Sequence, residues 1–588
     1  MSLRRAVPAD LEDISRSDQR GVCLRLAGKV QQVSDPTGTY GFSYDNMGRL
    51  IGTSTQYSYL PGVNFQNAYA YDAASNRTSL TAPDGSTTSY GYDTLNRLNN
   101  LANSWAGSFG FGYDALSRRT QLTRPNGINT NYSYDSVSHL LSVLHQAGNT
   151  TLDGASYTYD PAGNRTAKTN YLNSVTSNYS YDPLYELTQV TQGSSTIETY
   201  SYDAVGNRLS SSGVPTYSYN SSNELTSNSN GSYTYDANGN TLTDPSGRQY
   251  TWDFENRLTQ AVVPGTNGGT TTFKYDPFGR RIQKSGPLGT TNYLYDGVND
   301  VEEVDNSGSV LSRYTFGGLD HPLSELRSGT TSYYEQDGLG SVTSLSNAAG
   351  TPVETYSFDS FGRATASTGT LTNPFQYAGR EFDSETGIYY YRARYFDPSA
   401  GRFLSEDPAR LRGGVNFYAY TRNRPVLLTD PSGHQGGCPP QSPNCVPTDP
   451  DAPYQGSDGR WYNTLDWNGQ TDPTPSLPDP GPTPPPSPDK PGPTCDCSSN
   501  SEYWSRYFRI LDDANDKRLK ALGWSVGITG GNWITEKGLE QFGKHWYGRW
   551  VDPAVEILDL THFTYENLKI DREVEEEDEV LKKELGCK

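Results

Sequence analysis

The last hundred residues hold two pairs of side chains whose types and spacing could do acid–base or metal chemistry. Glu540 and His545 lie within one turn and a half of a helix, and His562 and Glu566 stand at i and i+4 of one helical face. A carboxylate and an imidazole so placed make a general acid/base pair or half of a metal site. The plainer reading of all four is a surface or structural role. The Gly527, Gly530 and Gly531 cluster lacks the lysine and the preceding strand of a phosphate loop. Of six cysteines, Cys23 stands alone and Cys438, Cys445, Cys495, Cys497 and Cys587 fall in the last third. The Cys495–Cys497 spacing is too short for a CxxC knuckle, so a local disulfide or free thiols are expected, with no metal and no cofactor.

Elements that would carry these residues differ sharply from what precedes them. The chain has 588 residues, 33% hydrophobic and 19% charged, with 44 Tyr and 59 Gly. Strands joined by small polar turns use such residues; helices do not. Tyrosine covers a large area while keeping its hydroxyl wet. The net charge of −20 argues against a nucleic-acid surface over most of the chain, because phosphate contacts need clustered Lys and Arg. No run of 18 apolar residues exists, so no transmembrane helix is expected. Residues 1–28 read as an irregular segment with positive charge but no apolar stretch of a secretory signal. They run into the first repeat without an atypical end unit, which suggests the tail of a longer gene or an unseen export route.

A period dominates the rest. Tyr44-Asp45-Asn-Met-Gly-Arg-Leu recurs at Tyr71-Asp72, Tyr92-Asp93 and Tyr113-Asp114, with further copies at Tyr134, Tyr159, Tyr181, Tyr202, Tyr235, Tyr275 and Tyr295. Tyr219-Asn220 and Trp252-Asp253 are degenerate copies. Alternation before the aspartate, as in Tyr157-Thr-Tyr159, puts both tyrosines on one sheet face. The aspartate starts a turn by accepting backbone N–H groups two residues on. A Gly, Asn or Ser then supplies the positive φ, and each unit of about twenty residues gives two strands and two turns.

This pattern resembles the YD repeats of RHS proteins, teneurins and the C subunits of insecticidal toxin complexes. The likeness continues through YAGREFDSETGIYYYRARYFDPSAGRFLSEDP, from Tyr377 to Pro408, and NFYAYTRNRPVLLTDPSG, from Asn416 to Gly433, which resemble the RHS-associated core. The resemblance implies a mainly β fold, a hairpin spiral or shell, with repeats over 29–300 and the core over 301–434. A Pro-rich linker (435–498) and a small, mainly helical C-terminal domain (499–588) follow. At about nineteen hairpins and ~4.8 Å per strand the ribbon is roughly 180 Å wide, enough to circle a ~60 Å cavity about once.

In many family members the core also cuts itself after a D-P-x-G-L motif, through two carboxylates sharing one proton. The matching residues here are Asp407 in SEDP and Asp430 in TDPSG, with Arg394 matching an arginine needed for the cut and His434–Gln435 the scissile bond. His434 stands where the family has Leu or another apolar residue; a pocket shaped for Leu fits it poorly, and its charge would lower a neighbouring carboxyl pKa. The alternative is that both Asp-Pro pairs only form turns.

The resemblance implies a carrier of a polymorphic toxin, secreted or at the cell surface, with a cognate immunity protein and a partner that caps or delivers the shell. A cell-surface protein binding carbohydrate or other cells through the shell is the second expectation, and an inactive gene fragment the third.

Overall fold

Each Tyr-Asp unit is built around its aspartate. Asp45 accepts the Met47 and Arg49 amides on one oxygen, both at 2.9 Å, and the Arg49 Nε on the other at 2.6 Å. Asp93 and Asp114 repeat this with Arg97 and Arg118. In other units Asn takes the place of Arg, as Asn76 does on Asp72 at 2.9 Å. The arginine also joins neighbouring units. Arg49 donates to the Asp72 carbonyl at 3.0 Å and stacks on Tyr71 at 4.9 Å, and Arg118 does the same to Asp135 and Tyr134.

The tyrosine of each pair is a tie as well. Its hydroxyl donates to a carbonyl of the preceding unit: Tyr71 to Leu50 at 2.7 Å, Tyr92 to Arg77 at 2.9 Å, Tyr113 to Leu98 at 2.8 Å. In the degenerate unit the Trp252 indole N–H makes the equivalent bond, to Thr241 at 2.7 Å. The strand register slips by one residue just before these tyrosines, at Ser43/Tyr44, Ala70/Tyr71 and Gly91/Tyr92. Alternation alone does not reveal this bulge.

The computed structural model describes residues 21–24, 29–266, 268–410 and 413–434, with two short strands beyond them. Hairpins follow one another as an antiparallel meander. An 18-stranded sheet runs from Gly21–Leu24 to Arg208–Ser211, and a three-stranded piece spans Tyr217–Tyr219 to Gly231–Ser232. A 14-stranded sheet runs from Thr234–Tyr235 to Ala364–Thr368, and four short strands lie between Glu381–Asp383 and Arg402–Phe403. Tyr454–Gln455 pairs with Trp461–Tyr462, a strand pair within the span expected to be linker. Among the described residues no helix is long and apolar enough to cross a membrane.

Strand Phe65–Tyr71 alternates buried and exposed residues until its end, as a sheet with one covered face must. Strands Asn299–Val304 and Val342–Ser346 are buried throughout, so the second sheet is covered on both faces there. The first sheet covers one of them. Tyr40, Tyr57, Leu60 and Phe65 share a core with Ile282, Leu294 and Val304, and Leu101, Phe109 and Val143 share one with Leu323 and Tyr333. Polar ties cross the same contact: Tyr57 to the Tyr293 carbonyl at 2.6 Å, Arg77 to Asp296 at 2.7 Å, Lys168 to Asp337 at 2.6 Å.

Some of these partners lie 219 to 236 residues apart, so the ribbon laps itself well before its end. The single wide circuit expected from strand count is therefore corrected. Strand count treats the ribbon as flat, whereas a bulge beside nearly every Tyr-Asp turn bends the strand and increases its twist.

The overlap gives one turn position two fates. The residue two beyond the aspartate is exposed at Leu116 in the first sheet (65%) and buried at Phe361 in the second (2%). The Phe361 ring lies 5.1 Å from that of Tyr200 and beneath the Arg208 guanidinium at 4.1 Å. Phe361→Ala is expected to cost about 3–5 kcal/mol. Leu116→Ala, at the equivalent exposed position, should change stability by no more than ~0.5 kcal/mol. Denaturant unfolding of the two variants checks the contrast.

Candidate functional site

The segment after the second sheet folds back as short strands on an aromatic bed of Tyr377, Tyr389, Tyr391, Phe396, Phe403 and Tyr420. Strands Ile388–Tyr391 and Arg394–Asp397 are joined so tightly that Arg392 takes a left-handed conformation, φ 57°. The turn presents Arg394 inward, only 1% exposed, with its guanidinium over the Phe403 ring at 3.6 Å. A guanidinium stacked in this way is held in one plane and can use its whole donor fork.

That fork gathers the site. Arg394 Nη2 lies 3.0 Å from Asp407 Oδ2 and 3.0 Å from Asp430 Oδ2. The two oxygens are thus no more than twice that distance apart. Arg394 Nη1 donates to the Phe417 carbonyl at 2.9 Å, and Nε donates to the carbonyl of Gly433. Asp407 and Asp430 are 5% and 0% exposed.

Both Asp-Pro pairs are also turn formers, and the two roles fall on different oxygens. Asp407 Oδ1 accepts the Ala409 amide at 2.8 Å, and Asp430 Oδ1 accepts the Gly433 amide at 2.9 Å. Each Oδ2 is turned to Arg394. A turn needs only the first contact.

Gly433 fits where a side chain could not. Its φ is 74°, and an added Cβ would sit 2.2 Å from the Tyr391 carbonyl oxygen. His434 follows, its amide donating to Ser432 Oγ at 3.2 Å. Burial pushes the Asp407 carboxyl up to about 6, against the pull of Arg394 and the Ala409 amide. Burial likewise lowers Arg394 despite its two carboxylates. The site therefore combines a carboxyl able to hold a proton near neutrality, a second buried carboxyl, and a cation anchored to the backbone next to His434.

Arg394, Asp407 and Asp430 lie together, and His434 follows the Gly433 that Arg394 holds. Gln435, Glu540, His545, His562 and Glu566 lie outside the described residues, as do Cys438, Cys445, Cys495, Cys497 and Cys587. Among the described residues no cluster of three or more His, Cys, Asp or Glu could hold a metal. Sequence reasoning missed Arg392, whose Nη1 donates to the Pro431 carbonyl, and the backbone amide of Ala393, 3.2 Å from the Ser432 carbonyl. The Arg-x-Arg spacing of residues 392 and 394 was the available signal. Arg392 stands in the left-handed turn and Arg394 just after it, and both side chains reach the same segment.

A family model described as the teneurin YD-shell matches residues 166–426, and an RHS repeat model matches residues 71–108. This chain is an RHS/YD-repeat protein. A Bacillus spizizenii relative, tRNA3(Ser)-specific nuclease WapA, is 36% identical over 416 residues, which is 68% of this chain but 16% of that protein. Double-stranded DNA deaminase toxin A of Burkholderia cenocepacia is 28% identical over 201 residues, 28% of this chain and 14% of the relative. The RHS chain thus spans a small part of the length of the relatives it matches. Among solved structures, TcdB2-TccC3 superposes with a TM-score of 0.62 at 21% identity, over 70% of this chain and 26% of that one. At that identity the likeness is one of fold.

Proposed function

We propose that this RHS chain is the shell and self-cleaving core of a toxin carrier, acting outside the producing cell and cutting itself between His434 and Gln435. The observation that carries the reading is the reach of Arg394. One nitrogen holds both carboxylates at 3.0 Å while another holds the carbonyl of the residue before His434. A turn-forming role explains none of these contacts.

The reaction is amide hydrolysis with water as co-reactant. Asp430 takes a proton from water as the water oxygen bonds to the His434 carbonyl carbon. Asp407 gives its proton to the Gln435 nitrogen as the C–N bond breaks. The products are a His434 carboxyl and a Gln435 amine. The segment beyond the cut would be the toxin, matched by an immunity protein in the producing cell. A partner would cap or deliver the shell, and relatives whose names describe nucleases and a deaminase toxin support this reading.

Full-length protein on a denaturing gel should resolve into two fragments, the larger ending at His434 and the smaller starting at Gln435 by mass spectrometry. A single full-length species in freshly folded protein would count against the reading. The rate should also depend on pH. Asp407 must hold its proton to serve as the acid, so cleavage should slow as pH rises through about 6. A rate that climbs from pH 6 to 8 would assign the proton elsewhere.

A further inference from the structure

The three residues before His434 are gripped one by one from the turn that carries Arg394. The Arg392 side chain donates to the Pro431 carbonyl, the Ala393 amide donates to the Ser432 carbonyl at 3.2 Å, and the Arg394 side chain donates to the Gly433 carbonyl. Each successive residue of the turn thus takes the successive carbonyl of the cleavage segment. Two of the three donors are side chains, and only one of those, Arg394, touches the carboxylates.

Arg392 is anchored elsewhere. Its Nη2 lies 2.7 Å from Asp320 Oδ1 and its Nη1 3.2 Å from Asp320 Oδ2, a two-point grip on one carboxylate. Asp320 belongs to the turn between Val310–Phe316 and Pro322–Arg327, in the middle of the second sheet. The turn is itself held: Gln336 donates to the Asp320 carbonyl at 3.3 Å, and Arg380 donates to its carboxylate. Arg380 in turn donates to the Tyr390 carbonyl at 2.9 Å, on the strand leading to Arg392. A closed loop of contacts therefore runs from the second sheet, through Asp320 and Arg392, to Pro431.

We propose that Arg392 is a positioning residue for self-cleavage and Asp320 its anchor, so that the scissile bond reaches the carboxylates only once the second sheet has folded. This rests on the self-cleavage reading. An early cut would release the C-terminal segment before the shell existed. The Asp320–Arg392 strut ties the two events together, because Asp320 takes its place only when the strands on either side have paired. Positioning of this kind is worth much in rate, since a displacement of about 1 Å can cost ~100-fold.

The test uses the full chain with two readouts. Arg392→Ala and Asp320→Asn should each slow appearance of the two fragments about 10- to 100-fold. The pH at which the rate falls should not move, because neither residue touches Asp407. Arg392→Lys should recover part of the rate, and the double variant should be no slower than the slower single one, since both remove one strut. Independently of any cleavage, hydrogen exchange at the Ser432, Gly433 and His434 amides should speed up in both variants while strand Ile388–Tyr391 stays protected. Parental cleavage in Arg392→Ala, or unchanged exchange at residues 432–434, would overturn the proposal. An uncut parent would overturn the self-cleavage reading, and the exchange result would still decide whether the strut holds the segment. If Arg392→Ala does not fold, Asp320→Asn, nearly the same size and shape, carries the same comparison.

Discussion

Asp430→Asn in the full chain is expected to give one uncut band where the parent gives two. Asn keeps the shape of Asp and can still offer an oxygen to the Gly433 amide, so the turn survives. It cannot accept a proton from water, and loss of a base from a cooperating set costs on the order of 10⁴-fold or more in rate. Asp407→Asn should be equally inactive for the opposite reason. Its amide can still receive the Ala409 N–H but has no labile proton near neutrality to give the leaving nitrogen. Residues acting as a unit are not additive, so the double variant should be no slower than either single one. The comparison needs folded protein. In either variant an amide meets a guanidinium that faced a carboxylate, and one charge-assisted contact is lost. Circular dichroism and unfolding midpoints should therefore show native β structure of somewhat lower stability. Cleavage at the parental rate in folded Asp430→Asn would leave both Asp-Pro pairs as turn formers alone.

How much of this was legible in the sequence follows from how local each signal is. The Tyr-Asp turn is readable because Asp45 bonds only residues up to four away, and the same few atoms recur in every unit. Even Asn220 and Trp252, which break the motif, keep its geometry by offering an amide oxygen and an indole N–H in place of the usual groups. The lapping of the ribbon was not readable. It depends on pairs such as Arg77 with Asp296, 219 residues apart, and on a bulge that leaves the pattern of residue types unchanged. Buried carboxyls were invisible for the same reason. Glu302 sits in strand Asn299–Val304, where a carboxylate would be expected to face water, yet burial raises its carboxyl to about 8 beside Asp84 of the first sheet. At the candidate site, resemblance could match Arg394, Asp407 and Asp430 to family positions. It could not show that each aspartate divides its oxygens between a turn and the arginine, or that residues 392–394 grip residues 431–433 in step.

Arg394→Ala should be the most damaging single change in the core. The side chain is 1% exposed and makes five contacts at once: two carboxylates, two carbonyls and the Phe403 face. Removing it leaves two buried carboxyls facing each other and two carbonyls without this donor, and breaking a buried ion pair from one side costs about 3–5 kcal/mol. Arg394→Lys should spare part of that stability but not the cleavage, because one ammonium cannot span both aspartates and the Gly433 and Phe417 carbonyls. The loss should also depend on pH, in a direction the charges fix. Asp407 already titrates near 6, above its ordinary value, so its burial costs little below the ordinary carboxyl range and more as pH rises through 6. Without the cation that pulls it down, the Asp407 carboxyl moves further up and stays neutral in acid. The stability gap between Arg394→Ala and the parent should therefore be smaller at pH 5 than at pH 8, read from denaturant midpoints. A gap independent of pH would mean that Arg394 acts there by packing on Phe403 and by its carbonyl bonds, with the carboxylates already paired by other groups.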